Sequence, residues 1–62
     1  MLELKLMRIA AGLSQKKLAE LCNVSQGAVS QWERGASKPG FRVIGKLAAA
    51  LNVSADDLLK RG

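Results

Sequence analysis

Gln26, Ser30 and Gln31 sit close together in one stretch, SQGAVSQWERG from Ser25 to Gly35, and their side chains are the groups best suited to reading another molecule. A carboxamide carries a donor beside an acceptor, so a glutamine can bond adenine at N6 and N7 together. At helical spacing Val29 and Trp32 fall on one side of this stretch, while Gln26, Gly27, Ser30 and Gln31 face the other way. The polar side is therefore a candidate surface for base edges, with Trp32 on the packing side. Catalytic chemistry has little to work with. The chain has no His and no Tyr, and its one cysteine, Cys22, falls at apolar spacing from Leu18 as a small core residue. Asp56 and Asp57 are the nearest approach to a carboxylate pair, but adjacent helical residues point about 100° apart, which suits capping better than acid-base work. No metal site, cofactor or small-molecule substrate is expected.

A short helix can present those groups only if something clamps its apolar back. The segment before it has the spacing for that: counting from Gln15 as first, Ala19 is fifth, Asn23 ninth, Val24 tenth, Val29 fifteenth and Trp32 eighteenth, which is a helix-turn-helix pattern. Ala19 is small where two helices must cross, and Asn23 tolerates the left-handed backbone of a tight turn. Ser14 caps the first helix of the pair, with Gln15, Lys16 and Lys17 in its first turn and Leu18, Leu21 and Cys22 inside. Ser25 caps the second. Gly27 costs that helix up to ~1 kcal/mol against alanine, which points to a close approach at this position.

The remaining chain reads as three more helices. From Leu2 to Ala11 a helix puts Leu4, Met7, Arg8 and Ala11 on one face, and Gly12 supplies its left-handed stop. Leu2, Leu6 and Ile9 form a second apolar stripe, either extra core or a contact surface. The alternation from Leu2 to Leu6 would also suit a strand, but the chain offers no partner strand. After the loop Ala36-Ser37-Lys38-Pro39-Gly40, a helix from Phe41 to Leu51 buries Phe41, Ile44, Leu47, Ala48 and Leu51. Asn52 closes it, and Ser54 caps a last helix, Ala55 to Lys60, burying Leu58 and Leu59. The fold class is all-α, five helices in a single compact domain spanning 1–62. No internal repeat, low-complexity tract or linker is expected.

A chain of 62 residues is near the size where folding buries only about 60% of the extended surface, so its Leu, Ala, Ile and Val core must be efficient. Ten Lys and Arg stand against five Asp and Glu, a formal charge of +5 that favours a polyanionic partner. Between Arg34 and Ala55 every charged residue is basic, namely Arg34, Lys38, Arg42 and Lys46, so one side of the fold should be positive. With Lys16 and Lys17, the residues Arg34, Lys38 and Arg42 are candidates to neutralise phosphates. Arg8 lies on an inward stripe and needs a partner there, because an unpaired buried charge is very costly. Glu33 is the candidate. No apolar run approaches the ~20 residues that span a bilayer, and a lone cysteine suits a reducing compartment, so the expected location is cytoplasmic.

Helix starts separate the elements further. A helix N-terminus carries free amides and about half a positive charge, which seats phosphate. An acid in the first turn would repel it. The last helix has that acid, Ser54-Ala55-Asp56-Asp57 reading as a capping box, whereas the pair beginning at Gln15 and Gln26 carries Lys17 and Ala28 at the same place.

Taken together, LSQKKLAELCNVSQGAVSQWERGASKP followed by LAAALNVSADDLL resembles the Cro and phage-repressor type of helix-turn-helix domain, the lambda-repressor-like fold, over nearly the whole chain. The resemblance implies five helices, a homodimer on a roughly palindromic operator in double-stranded DNA, and the second helix of the motif in the major groove. By position it implies Gln26, Gly27, Ser30 and Gln31 at bases and Gln15 on a phosphate. Arg34, Lys38, the amide of Phe41 and Arg42 would lie on the backbone of the other strand, with Arg8 and Glu33 as a structural ion pair. Dimer contacts would come from the last helix and the end of the one before it. Asn23 stands where the family carries a turn glycine, and Gly27 has no side chain with which to read a base. A sequence-specific repressor is the expectation. A protein-binding antitoxin that regulates itself is the alternative, with Leu2, Leu6 and Ile9 as its face. A cationic peptide on a membrane surface is disfavoured, because the apolar residues are divided among capped segments.

Overall fold

In the computed structural model, which describes the backbone of residues 2–61 and the side chains of residues 3–59, five helices follow one another. They are α1 (Leu2–Ala10), α2 (Gln15–Cys22), α3 (Gln26–Arg34), α4 (Phe41–Leu51) and α5 (Ala55–Arg61). No strand occurs among the described residues. The helix α2 sits centrally, packed against α3 on one side and α4 on the other, while α1 crosses α3 and α5 closes over α4 and α1.

Local chemistry sets each boundary. Ser14 Oγ accepts the Lys17 N–H at 3.0 Å and Ser25 Oγ accepts the Ala28 N–H at 3.1 Å, so each helix of the central pair begins with one otherwise orphaned amide satisfied. Asn23 takes φ 56° and ψ 45°, the left-handed turn that stops α2. Gly12 and Gly35, at φ 75° and 78°, do the same after α1 and α3. Asn52 repeats the Asn23 geometry after α4 at φ 57° and ψ 43°, and Ser54 Oγ accepts the Asp57 N–H at 3.0 Å to begin α5.

One apolar cluster joins all five helices. Leu4, Leu18, Val29, Leu47 and Leu58 are wholly buried, with Ala19, Cys22, Trp32, Ala48 and Leu51 around them. Burying a side chain of leucine size contributes about 1.5–3 kcal/mol, so the five helices depend on one another. None forms a core alone.

The expected inward faces need correction at four places. Leu21 is 49% exposed because the buried side of α2 is centred on Leu18, Ala19 and Cys22, leaving Leu21 roughly 100° away. Phe41 is 95% exposed because the buried side of α4 is centred near Leu47 and Leu51, with Val43 and Ile44 packed against the core, leaving Phe41 roughly 100° away. Leu59, turned about 100° from buried Leu58, is 60% exposed. Ala11 follows the last residue of α1 and lies exposed in the turn. Of the second stripe on α1, Leu6 and Ile9 are about half exposed, and the Leu2 side chain lies outside the described residues. Gly27 does not mark a close approach within the chain either: a Cβ there would meet only Ser25 Oγ, at 3.8 Å. The absence of an internal repeat is also corrected, since the α2–α3 corner recurs at α4–α5.

Candidate nucleic-acid interface

The outward side of α3 follows from what its other side buries. Val29 and Trp32 are held in the core, and Glu33 joins them, so the helix can turn only one face to solvent. Gln26, Gly27 and Gln31 are exposed on that face and Ser30 is half-buried. Gln31 is not wholly loose. The Ser37 hydroxyl, in the loop after α3, donates to Gln31 Oε1 over 3.4 Å, a long contact that faces the amide oxygen toward the loop.

Basic groups surround this helix in the chain. Lys16 and Lys17 are exposed in the first turn of α2, and Lys38 and Arg42 are exposed on either side of the α4 start. Arg34 is exposed at the end of α3, its Nε reaching the Ser30 carbonyl oxygen at 3.4 Å. Among the starts of α2, α3, α4 and α5, that of α4 is the barest: its cap is Gly40, no side chain bonds its amides, and Phe41 stands out beside it. No acid occupies the first turn of α2, α3 or α4, whereas Glu3 lies in the first turn of α1 and Asp56 and Asp57 in that of α5. Three helix starts thus keep their partial positive charge open to an anion.

A buried ionic knot fixes the end of α3 to α1 and to the start of α2. Arg8 of α1 donates from Nε to Glu33 Oε2 at 2.6 Å and from Nη2 to Oε1 at 3.2 Å, while its Nη1 bonds the Leu13 carbonyl oxygen at 2.8 Å. Side-chain exposure is 11% for Arg8 and 4% for Glu33, so water competes little for either. Burial alone would raise the Glu33 carboxyl, but hydrogen bonds from Arg8 and Gln15 and the charges of Arg8 and Lys5 outweigh it and hold the group below the ordinary glutamate value. The third donor, Gln15 Nε2 at 3.0 Å from Oε1, comes from the first residue of α2. Spacing along the chain did not reveal this contact. Its only signal was that a carboxylate paired with one arginine still has lone pairs to fill.

Other chemistry is thin. Cys22 is 1% exposed, and burial pushes its thiol up against a smaller opposing pull from Lys46, which leaves it a packing residue. No group of three or more His, Cys, Asp or Glu able to hold a metal occurs among the described residues, and no helix there is long and apolar enough to cross a membrane. An open cleft of about 550 Å³ lies between α1 and the α4–α5 corner, lined by Leu6, Met7, Ala10, Ala50, Val53 and Asp57 among others. Neither α2 nor α3 contributes to its lining.

Comparison with known proteins agrees with this architecture. The helix-turn-helix family model matches residues 4–58. An uncharacterized HTH-type transcriptional regulator of Mycobacterium tuberculosis is 44% identical over 54 residues, covering 87% of this chain and 39% of the relative. An uncharacterized HTH-type transcriptional regulator derived from the SPbeta prophage, in Bacillus subtilis strain 168, is 33% identical over 57 residues, covering 92% of this chain and 53% of the relative. The chain therefore spans about two fifths to one half of the curated relatives it matches. From the capped pair α2 and α3, the buried back of α3 and a match over most of its length, this chain belongs to the helix-turn-helix family, of the Cro and phage-repressor type.

Proposed function

We propose that this chain is a DNA-binding domain of a transcriptional regulator, a repressor that recognises a roughly palindromic operator as a homodimer. The observation that carries the reading is the division of α3, apolar and clamped behind, polar and open in front. In this reading α3 enters the major groove. Gln26 takes an adenine edge through both groups of its amide, Gln31 and Ser30 make single bonds, and bare Gly27 leaves room for a thymine methyl. Gln15, Lys16 and Lys17 hold one stretch of phosphates, and Arg34, Lys38, the Phe41 amide and Arg42 hold another. Two copies, in contact through α5 and the end of α4, would place their recognition helices about 34 Å apart along the duplex. The chain's chemistry suits binding rather than catalysis, in a reducing cytoplasm.

Selection of bound sites from random duplexes supplies the operator, and two substitutions then test the assignment. Gln26→Ala should lower operator affinity by about 1–3 kcal/mol with little change on unrelated DNA. Lys38→Ala should weaken all duplexes alike and flatten the salt dependence by about 0.9 of a slope unit. Equal losses on every duplex would remove Gln26 from base reading, and no binding of any duplex at low salt would end the proposal. A second reading, a module that binds a protein partner and regulates its own synthesis, is favoured by half-exposed Leu6 and Ile9 on α1. One stoichiometric protein partner, lost on Ile9→Glu with DNA binding unchanged, would support it.

A further inference from the structure

Glu33 is the one acid within the paired helices whose side chain is withdrawn from solvent, and its contacts do more than neutralise Arg8. Arg8 grips both carboxylate oxygens, through Nε to Oε2 at 2.6 Å and Nη2 to Oε1 at 3.2 Å, so the carboxylate cannot turn. The fixed Oε1 then accepts the Gln15 amide at 3.0 Å, across 18 residues of chain. A carboxylate accepts hydrogen bonds and repels a carbonyl oxygen, so it settles which way round the Gln15 amide stands: nitrogen toward Glu33. One N–H is used there. The other has no partner among the described residues, and Gln15 is half-buried at the surface, in the first turn of a helix without an acid.

We infer that Glu33 is a positioning residue for DNA, held by Arg8 so that it fixes the Gln15 amide in advance with its second N–H free for a backbone phosphate. This rests on the DNA reading above and adds to it a residue that never touches DNA. Two effects follow. A glutamine side chain loses its rotational freedom on binding, a penalty of roughly two- to tenfold in affinity, and here that freedom is already spent. The Arg8 guanidinium also neutralises the carboxylate, so the acid that holds Gln15 does not repel the phosphate.

A phosphate contact is blind to sequence, so the test uses the whole chain and any duplex of about two helical turns at low salt, with folding checked by circular dichroism. Gln15→Met, which keeps the length but no donor, should weaken binding about tenfold on every duplex with the salt slope unchanged, because a neutral donor displaces no counterion. Glu33→Gln should weaken it roughly threefold, although removing a negative charge by itself strengthens binding to a polyanion. In the Gln15→Met background the same substitution should no longer weaken binding. Glu33→Gln that leaves affinity unchanged, tightens it, or weakens it equally in both backgrounds would overturn the inference. Should Glu33→Gln not fold, nuclear magnetic resonance of the unsubstituted chain decides: the Gln15 side-chain amide protons must shift as the Glu33 carboxyl titrates, and signals that ignore that titration overturn it. Duplex binding indifferent to Gln15→Met sinks this inference alone, whereas a chain that binds no duplex at all sinks the DNA reading with it.

Discussion

The corner between α2 and α3 and the corner between α4 and α5 are built almost identically, and they differ where they face outward. Residues 17–25 read KLAELCNVS and residues 46–54 read KLAAALNVS. Leu18 and Leu47 are both wholly buried, Asn23 and Asn52 share one left-handed geometry, and the Val24 and Val53 amides reach back to Ala19 and Ala48 carbonyl oxygens at 3.0 Å each. Ser25 and Ser54 cap the helices that follow. Then the two part. Gln26-Gly27-Ala28 opens α3 without charge, and Ala55-Asp56-Asp57 opens α5 with two acids. The corner is thus a reusable scaffold, and the three residues after the cap decide whether its helix start welcomes an anion or repels one. Among the described residues, only the first corner also carries an ionic knot, the Arg8–Glu33–Gln15 set.

Substitutions at matched positions can break or sharpen this comparison. Leu18→Ala and Leu47→Ala should each remove about 2–5 kcal/mol, enough to unfold much of so small a chain, as read by denaturant titration. A much smaller loss at one of them would mean the corners do not share the core equally. Next in size is the knot, where Glu33→Ala should remove about 3 kcal/mol. Its pH signature has a definite sign. The folded carboxyl lies below its unfolded value, so the knot contributes fully above the unfolded value, near pH 4.3, and its contribution is lost as pH falls through the folded one. Acid unfolding of Glu33→Gln should therefore show a shallower limb than the unsubstituted chain, measured by helical signal against pH.

Making the first corner resemble the second gives a smaller and two-sided effect. Gly27→Glu fills open space, relieves the glycine penalty and places an acid in the first turn, so thermal unfolding should show a gain of about 1 kcal/mol. Duplex binding should fall at least about tenfold, since the acid would face phosphate. Tight binding retained by that variant would contradict the role given to the bare helix start. Smallest of all, Asn23→Gly and Asn52→Gly should shift stability by under about 0.5 kcal/mol and by equal amounts, because the two residues hold the same φ and ψ. Unequal shifts would show that the two turns are strained differently.

Much of this architecture was legible in the residues. Ser14, Ser25 and Ser54 before helical runs, and Gly12, Asn23, Gly35 and Asn52 after them, mark ends by local backbone chemistry that acts within a few residues. The pairing of Arg8 with Glu33 followed from an arginine on an inward stripe. Burial was less legible. Leu21, Phe41 and Leu59 depend on how far each helix is rotated against its neighbours, which apolar spacing does not encode. The Gln15–Glu33 contact is set by the crossing of α2 and α3, and the side-chain amide carries no sequence mark of its partner. The recurrence of KLA and NVS was present in plain letters, but it is short and interrupted by Glu20-Leu21-Cys22 against Ala49-Ala50-Leu51, so composition and periodicity pass over it.

Gly40 has a consequence for any attempt to harden this protein. It begins α4 at φ −69° and ψ 163°, a backbone open to every residue type, and a Cβ placed there would touch nothing within 4 Å. Serine or aspartate would fit and tie down a loose amide, so heat-based screening would collect such replacements readily. Under the DNA reading those same amides, beside Phe41, are where the backbone of the duplex rests. Variants chosen for endurance would drift toward molecules that survive longer and grip less, and position 40 is where that drift would first be seen.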